Sequence, residues 1–145
     1  MTVTDGYKNV TLYGDCRDSL VRLRDAGVVV NLIVTSPPYW SLRSYLRDDH
    51  PMKNHELGSE LTPEEYVANM VEVFRLAREV LAPDGVMFLN IGDSYAGSGG
   101  PGGDYGDGGL RNGQPKWNRK AVPSRLKPKD LCMIPAQLAI ALRDD

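Results

Sequence analysis

Ser36, Pro37, Pro38 and Tyr39 stand in immediate succession within NLIVTSPPYW, Asn31 to Trp40. Each proline fixes its own φ and restricts the residue before it, so the pair makes a stiff turn with few backbone donors. The carbonyl oxygens of such a turn face outward as acceptors. Ser36 adds a hydroxyl, and Tyr39 adds a flat ring with a polar tip. This set suits a planar ring carrying an NH2 group: the acceptors take the amine hydrogens and the aromatic face stacks on the ring. A rigid turn that only leads into a loop is the plainer reading of Pro-Pro-Tyr alone. The context argues against it, because the turn directly follows an apolar run.

The elements that must position this turn alternate between strand and helix. NVTLYG (Asn9 to Gly14) reads as a short strand stopped by Gly14. CRDSLVRLRDAG follows as an amphipathic helix with Gly27 as its stop. VVVNLIV (Val28 to Val34) is β-branched and apolar without alternation, as a strand covered on both faces of a parallel sheet reads. LTPEEYVANMVEVFRLAREVLAPDG carries the clearest helix. Thr62 is its N-cap, Pro63 its first residue and Glu65 the reciprocal cap. Tyr66, Val67, Met70, Val71, Phe74, Ala77 and Leu81 recur on one face, and Pro83-Asp84-Gly85 is read as the end. VMFLNI (Val86 to Ile91) is a further buried-type strand, and DLCMIPAQLAIALRDD an apolar helix with Pro135 near its start. Alternating strands and helices give the fold class α/β, a mostly parallel sheet with flanking helices. In such a sheet ligands bind beyond the carboxyl ends of the strands, where Ser36 to Tyr39 falls.

Composition narrows the class further. The chain has 145 residues, 41% hydrophobic and 25% charged, with a net charge of −2. That suits one globular domain or part of one, and nothing global points to nucleic acid. Cys16 and Cys132 lie far apart, and His50 and His55 add no spacing such as HExxH, so no metal site is expected. A reduced, cytoplasmic setting is expected, without membrane association, since neither a leader nor a long apolar run is present.

Local patterning departs from the average. Gly97 to Gly113 holds 9 of the 15 glycines and reads as a mobile loop. Gly97, Gly99 and Gly102 spell G-x-G-x-x-G, but Pro101 interrupts the pattern and no apolar helix follows, so it is not a dinucleotide fingerprint. From Arg111 to Lys129 there are seven basic residues and no acid, with Trp117 among them. Lys and Arg release counterions from phosphates, which favours nucleic-acid contact over a solvated linker.

VTSPPYW resembles the catalytic motif of the amino-methyltransferases that act on DNA, the N4-cytosine and N6-adenine group. LYGDCRDSL upstream, LRSY after the motif, NIGDSY at the next strand end and LKPKDLCMIPAQLAIAL are similar to that family too, so the resemblance runs from about Val10 to Leu142. It implies an incomplete Rossmann-like methyltransferase fold and transfer of a methyl group from S-adenosylmethionine to an exocyclic base amine of double-stranded DNA. Ser36, Pro37, Pro38 and Tyr39 would then be catalytic, with Tyr39 stacking on the flipped base. Ser at the first position tilts the reading toward cytosine N4; adenine N6 stays open.

The resemblance also implies that Asp15, with Cys16 beside it and Ser36, faces the cofactor. A helix cap is the alternative for Asp15, and both can hold. Asn90 and Asp93 are candidates for shaping the target pocket, with an Asx-type turn preferred for Asp93. Trp40, Arg43 and Tyr45 are candidates for the pocket entrance or DNA; Arg43 is the best phosphate contact, or else a surface arginine. Arg111, Lys116, Arg119 and Lys120 are the expected DNA-binding residues of the basic segment.

The expected organisation is a catalytic half over 1–96, a flexible Gly-rich and basic DNA-contacting loop over 97–129, and a C-terminal helix over 130–145. The family places its Gly-containing cofactor loop and target-recognition region later in the chain. The resemblance therefore implies an N-terminal part, whose partner is the missing C-terminal part or a second subunit. Two other readings remain: an N-methyltransferase acting on a protein glutamine, whose motif usually begins with Asn, and an inactive DNA-binding fragment.

Overall fold

The computed structural model describes residues 6–47, 49–96 and 125–145. Helix α1 spans Cys16–Asp25, strand β1 Val30–Thr35, helix α2 Pro63–Glu79, strand β2 Leu81–Leu89 and helix α3 Ile134–Asp144; a short 3-10 turn covers Lys53–His55. The small α/β unit is built on a parallel sheet of two strands, β1 beside β2. Most of the basic and Gly-rich expectations, including Arg111, Lys116, Arg119 and Lys120, lie outside the described residues.

Local sequence sets the helix bounds. Asp15 accepts from the Arg17 N–H and caps α1, and Gly27 ends it at φ +69, where L side chains are disfavoured. At the start of α2, Thr62 accepts from the Glu65 N–H while the Glu65 carboxylate accepts from the Thr62 N–H. Tyr66, Met70, Phe74 and Ala77 are buried, as their spacing predicts, and Val73 joins them while Val71 packs at the edge. They meet Ile134 and Leu138 of α3, Cys132 and Trp40 in one core. At ~25 cal/mol per Å² of apolar surface removed from water, this shared core is what holds α2 and α3 on the sheet.

Three expectations are corrected. Asn9 to Gly14 is not a strand: Val10, Leu12 and Tyr13 are exposed, and no backbone hydrogen bond among the described residues reaches residues 9–14. A strand without a ladder partner has nothing to satisfy its N–H and C=O groups but water. Second, α2 ends at Glu79, before Pro83-Asp84-Gly85, and that triplet belongs to β2. Val30 pairs with Leu81 and Leu32 with Val86, so β2 advances five residues while β1 advances two, and the triplet forms the irregularity.

The third concerns the sheet's faces. Ile33, Met87 and Leu89 pack on the core. On the opposite face Leu32, Val34, Val86 and Phe88 are 54%, 72%, 51% and 62% exposed. Paired as Leu32–Val86 and Val34–Phe88, they form an apolar patch, so only one face of the sheet is covered by the described residues.

Candidate active site

Three element ends converge. β1 runs into Ser36, and β2, parallel to it, runs into Asn90; the Asn90 N–H donates to the Thr35 carbonyl at 2.9 Å, tying the two exits together. The start of α2 lies on the same side, because the Tyr66 hydroxyl donates to the Pro38 carbonyl at 2.9 Å. The start of α1 is tied to the 3-10 turn over Lys53–His55: the Arg17 guanidinium, which grips Asp15, also donates to the His55 carbonyl at 3.3 Å.

The Ser-Pro-Pro-Tyr turn is held from outside. Prolines supply no N–H, so the pair gives the turn no backbone donor of its own. The Tyr39 carbonyl accepts from the Leu42 N–H at 3.4 Å and the Trp40 carbonyl from the Ser94 hydroxyl at 2.8 Å. Ser36 and Pro37 carbonyls take no hydrogen bond among the described residues. Ser36 is exposed, and its hydroxyl reaches the Tyr39 hydroxyl at 3.3 Å. Tyr39 is half-buried and lies on Gly92, where an added Cβ would stand 2.9 Å from ring atoms Cδ2 and Cε2. Thus NIGDSY serves the turn twice, through Gly92 under the ring and Ser94 on the Trp40 carbonyl.

Asp93 has a structural role, through bonds other than those of the Asx-type turn expected for it. One carboxylate oxygen accepts from the Ser94 N–H at 2.8 Å and the Ile134 N–H at 3.0 Å, which caps α3. Asn90 is exposed at the end of β2. Asp15 is committed to the start of α1 and to Arg17, whose hydrogen bonds hold its carboxyl below the usual value against the opposing effect of burial. Its side chain is still 19% exposed, and Cys16 beside it is a free, exposed thiol.

Trp40 is corrected. It is 3% exposed inside the core, and its indole N–H donates to the Glu60 carbonyl at 3.1 Å, so it anchors the turn rather than lining an entrance. Arg43 and Tyr45 are exposed on the following loop, as a contact surface requires. Of the basic segment, Arg125 pairs with Glu64. The segments flanking residues 97–124 are joined beside the site: Ala96 and Lys129 share a 2.8 Å hydrogen bond, and Tyr95 bridges Leu131.

Two residues escaped sequence reasoning. Glu56 has a side chain only 5% exposed, and its carboxylate accepts from the Tyr45 and Leu46 N–H groups, the Ser44 and Ser59 hydroxyls and the Lys53 ammonium at 2.7 Å. Burial raises its pKa, but the Lys53 ammonium and the backbone donors outweigh that and bring it to about 2. It therefore folds the loop that displays Arg43 and Tyr45 around one fixed charge. Tyr66 was legible as core but not as a donor.

A model of the N6/N4 DNA methylase family matches residues 30–134. The chain belongs to that family. Relatives include the type II methyltransferases M.SmaI of Serratia marcescens, 37% identical over 134 residues, and M.SfiI of Streptomyces fimbriatus, 37% over 135. M.Cfr9I of Citrobacter freundii is 37% identical over 138 residues. These alignments cover 92%, 91% and 91% of this chain but 42%, 26% and 41% of the relatives, so the chain spans less than half of their length. No solved structure matches the chain. Among the described residues no helix is long and apolar enough to cross a membrane.

Proposed function

We propose that this chain carries the base-amine site of a DNA methyltransferase that moves a methyl group from S-adenosylmethionine to cytosine N4. The observation that supports it most directly is the pair of carbonyls at Ser36 and Pro37 that take no hydrogen bond among the described residues, beside an exposed Ser36 hydroxyl, on a turn tethered through Tyr66 and Ser94. An exocyclic amine is a poor nucleophile because its lone pair is delocalised into the ring. Acceptors at Ser36 and the Pro37 carbonyl take its hydrogens, draw the nitrogen toward sp3 and stabilise the positive charge that grows on it. The acceptors need no reorganisation, since the turn is fixed before the base arrives. The base must leave the duplex to reach them, and Tyr39 supplies the ring on which it rests.

The donor set fits the cofactor. A carboxylate held at a helix start by Arg17, yet partly open, suits the amine of an adenine, so Asp15, Cys16 and Ser36 are the residues that would hold it. S-adenosylmethionine supplies an electrophilic methyl group when bound. Exposed Arg43, together with Arg111, Lys116, Arg119 and Lys120, provides phosphate contacts. The apolar patch of Leu32, Val34, Val86 and Phe88 is covered by the polypeptide that completes the methyltransferase, in the same chain or as a second subunit. Parallel sheets are stable with both faces covered.

The test uses the full-length gene product. Ser36→Ala and Tyr39→Ala abolish methyl transfer to DNA and leave most of the DNA affinity. Retained transfer in both variants would remove the catalytic assignment.

A further inference from the structure

We propose that Tyr66 is a positioning residue for the transfer step: its phenol holds the Pro38 carbonyl and leaves the Pro37 carbonyl for the base amine. This rests on the reading of the turn as the amine site. Along the exit of β1 the carbonyls divide sharply. Those of Pro38, Tyr39 and Trp40 are engaged by Tyr66, Leu42 and Ser94, and that of Thr35 by Asn90. Ser36 and Pro37 lie between, without a donor among the described residues. Tyr66 makes the boundary.

Tyr66 is suited to that role in three respects. It is 0% exposed, so its hydroxyl is not shared with solvent. Burial, with Glu60 and Tyr39 nearby, pushes its pKa above the ordinary value, so the phenol stays protonated and remains a donor. It sits one residue past Glu65 of the capping box, so the helix turn that carries it is itself fixed. Nothing within the Pro-Pro pair can replace it, because neither proline has an N–H. Without the phenol, the half-buried Pro38 carbonyl loses its partner, and the turn rotates to hydrate it. The Pro37 carbonyl moves with it, away from the line of attack.

Tyr66→Phe keeps the ring in the core and removes only the donor. In the full-length gene product kcat falls roughly 10- to 100-fold, as a misplacement of about 1 Å costs, while KM for S-adenosylmethionine and for DNA is unchanged. The second readout needs neither ligand. Amide exchange of Ser41 and Leu42, whose acceptors are Gly58 and Tyr39, quickens about tenfold relative to amides inside α2. Val73→Ala, a core control at the same helix, slows no transfer and changes these amides and those of α2 together. Wild-type kcat in Tyr66→Phe, or an exchange change uniform over α2 and the turn, would overturn the positioning role. Absence of transfer by the wild-type protein would instead sink the reading of the site itself, whatever the exchange shows.

Discussion

Glu56→Gln isolates the charge around which Ser44, Tyr45, Leu46, Lys53 and Ser59 are gathered. The folded pKa of Glu56 is about 2 against an ordinary 4.5, set by Lys53 and the Leu46 and Tyr45 N–H groups against the opposing effect of burial. At about 1.36 kcal/mol per pH unit, that difference corresponds to about 3 kcal/mol of stability. The partly exposed Lys53 trims it to about 2–3 kcal/mol. A depressed carboxyl binds its proton more readily in the unfolded chain. Its stabilisation is present in full above the ordinary pKa and is lost as pH falls from about 4.5 toward 2. Gln preserves the shape and offers one acceptor, but it carries no charge for Lys53 and turns an NH2 toward donors. Urea unfolding followed by tryptophan fluorescence at pH 7 and pH 2.5 measures both states. The expected result is a deficit of about 2–3 kcal/mol for the variant at pH 7 that shrinks markedly at pH 2.5. A deficit under about 0.5 kcal/mol at pH 7, or one that does not change with pH, would refute the reasoning.

Gly92→Ala places a Cβ 2.9 Å from two ring atoms of Tyr39. The ring must shift, so methyl transfer is expected to fall by an order of magnitude or more with only a modest loss in thermal stability; full activity would show that the ring's seat does not matter. Lys116, Arg119 and Lys120 changed together to Ala are expected to weaken DNA binding and flatten its dependence on salt by about 0.9 per lost phosphate contact, measured by titration across salt concentrations. An unchanged slope would remove those residues from the interface.

Much of the site was legible because its pattern is local. Two consecutive prolines after an apolar run can only be a stiff exit, and Thr62-Pro63 with Glu65 dictates a helix start regardless of what surrounds it. Residues 9–14 misled because β-branched composition measures suitability for a pleated surface, and a strand forms only where another offers a ladder. The α2–β2 boundary misled for a related reason. Pro83 and Gly85 break a helix, but the ladder to Val30 begins at Leu81, before they are reached. Trp40 read as surface because it adjoins Tyr39, yet the two side chains part, Tyr39 onto Gly92 and Trp40 into the core. Lys53 at i−3 from Glu56 is visible in the sequence, but the Tyr45 and Leu46 N–H groups that complete its site lie 11 and 10 residues away, and the acceptor of Tyr66 lies 28 away, so no local pattern marks either role.

The central claim is that the Ser36–Pro37 exit presents its oxygens to an exocyclic amine. It is tested most directly by incubating the full-length gene product with DNA and isotopically labelled S-adenosylmethionine, then digesting the DNA to nucleosides. The account predicts label in N4-methylcytosine, absent when Ser36 is Ala; label in N6-methyladenine would keep the amine chemistry and correct the base. Label on a ring carbon, as in 5-methylcytosine, or equal labelling with and without Ser36, would contradict it.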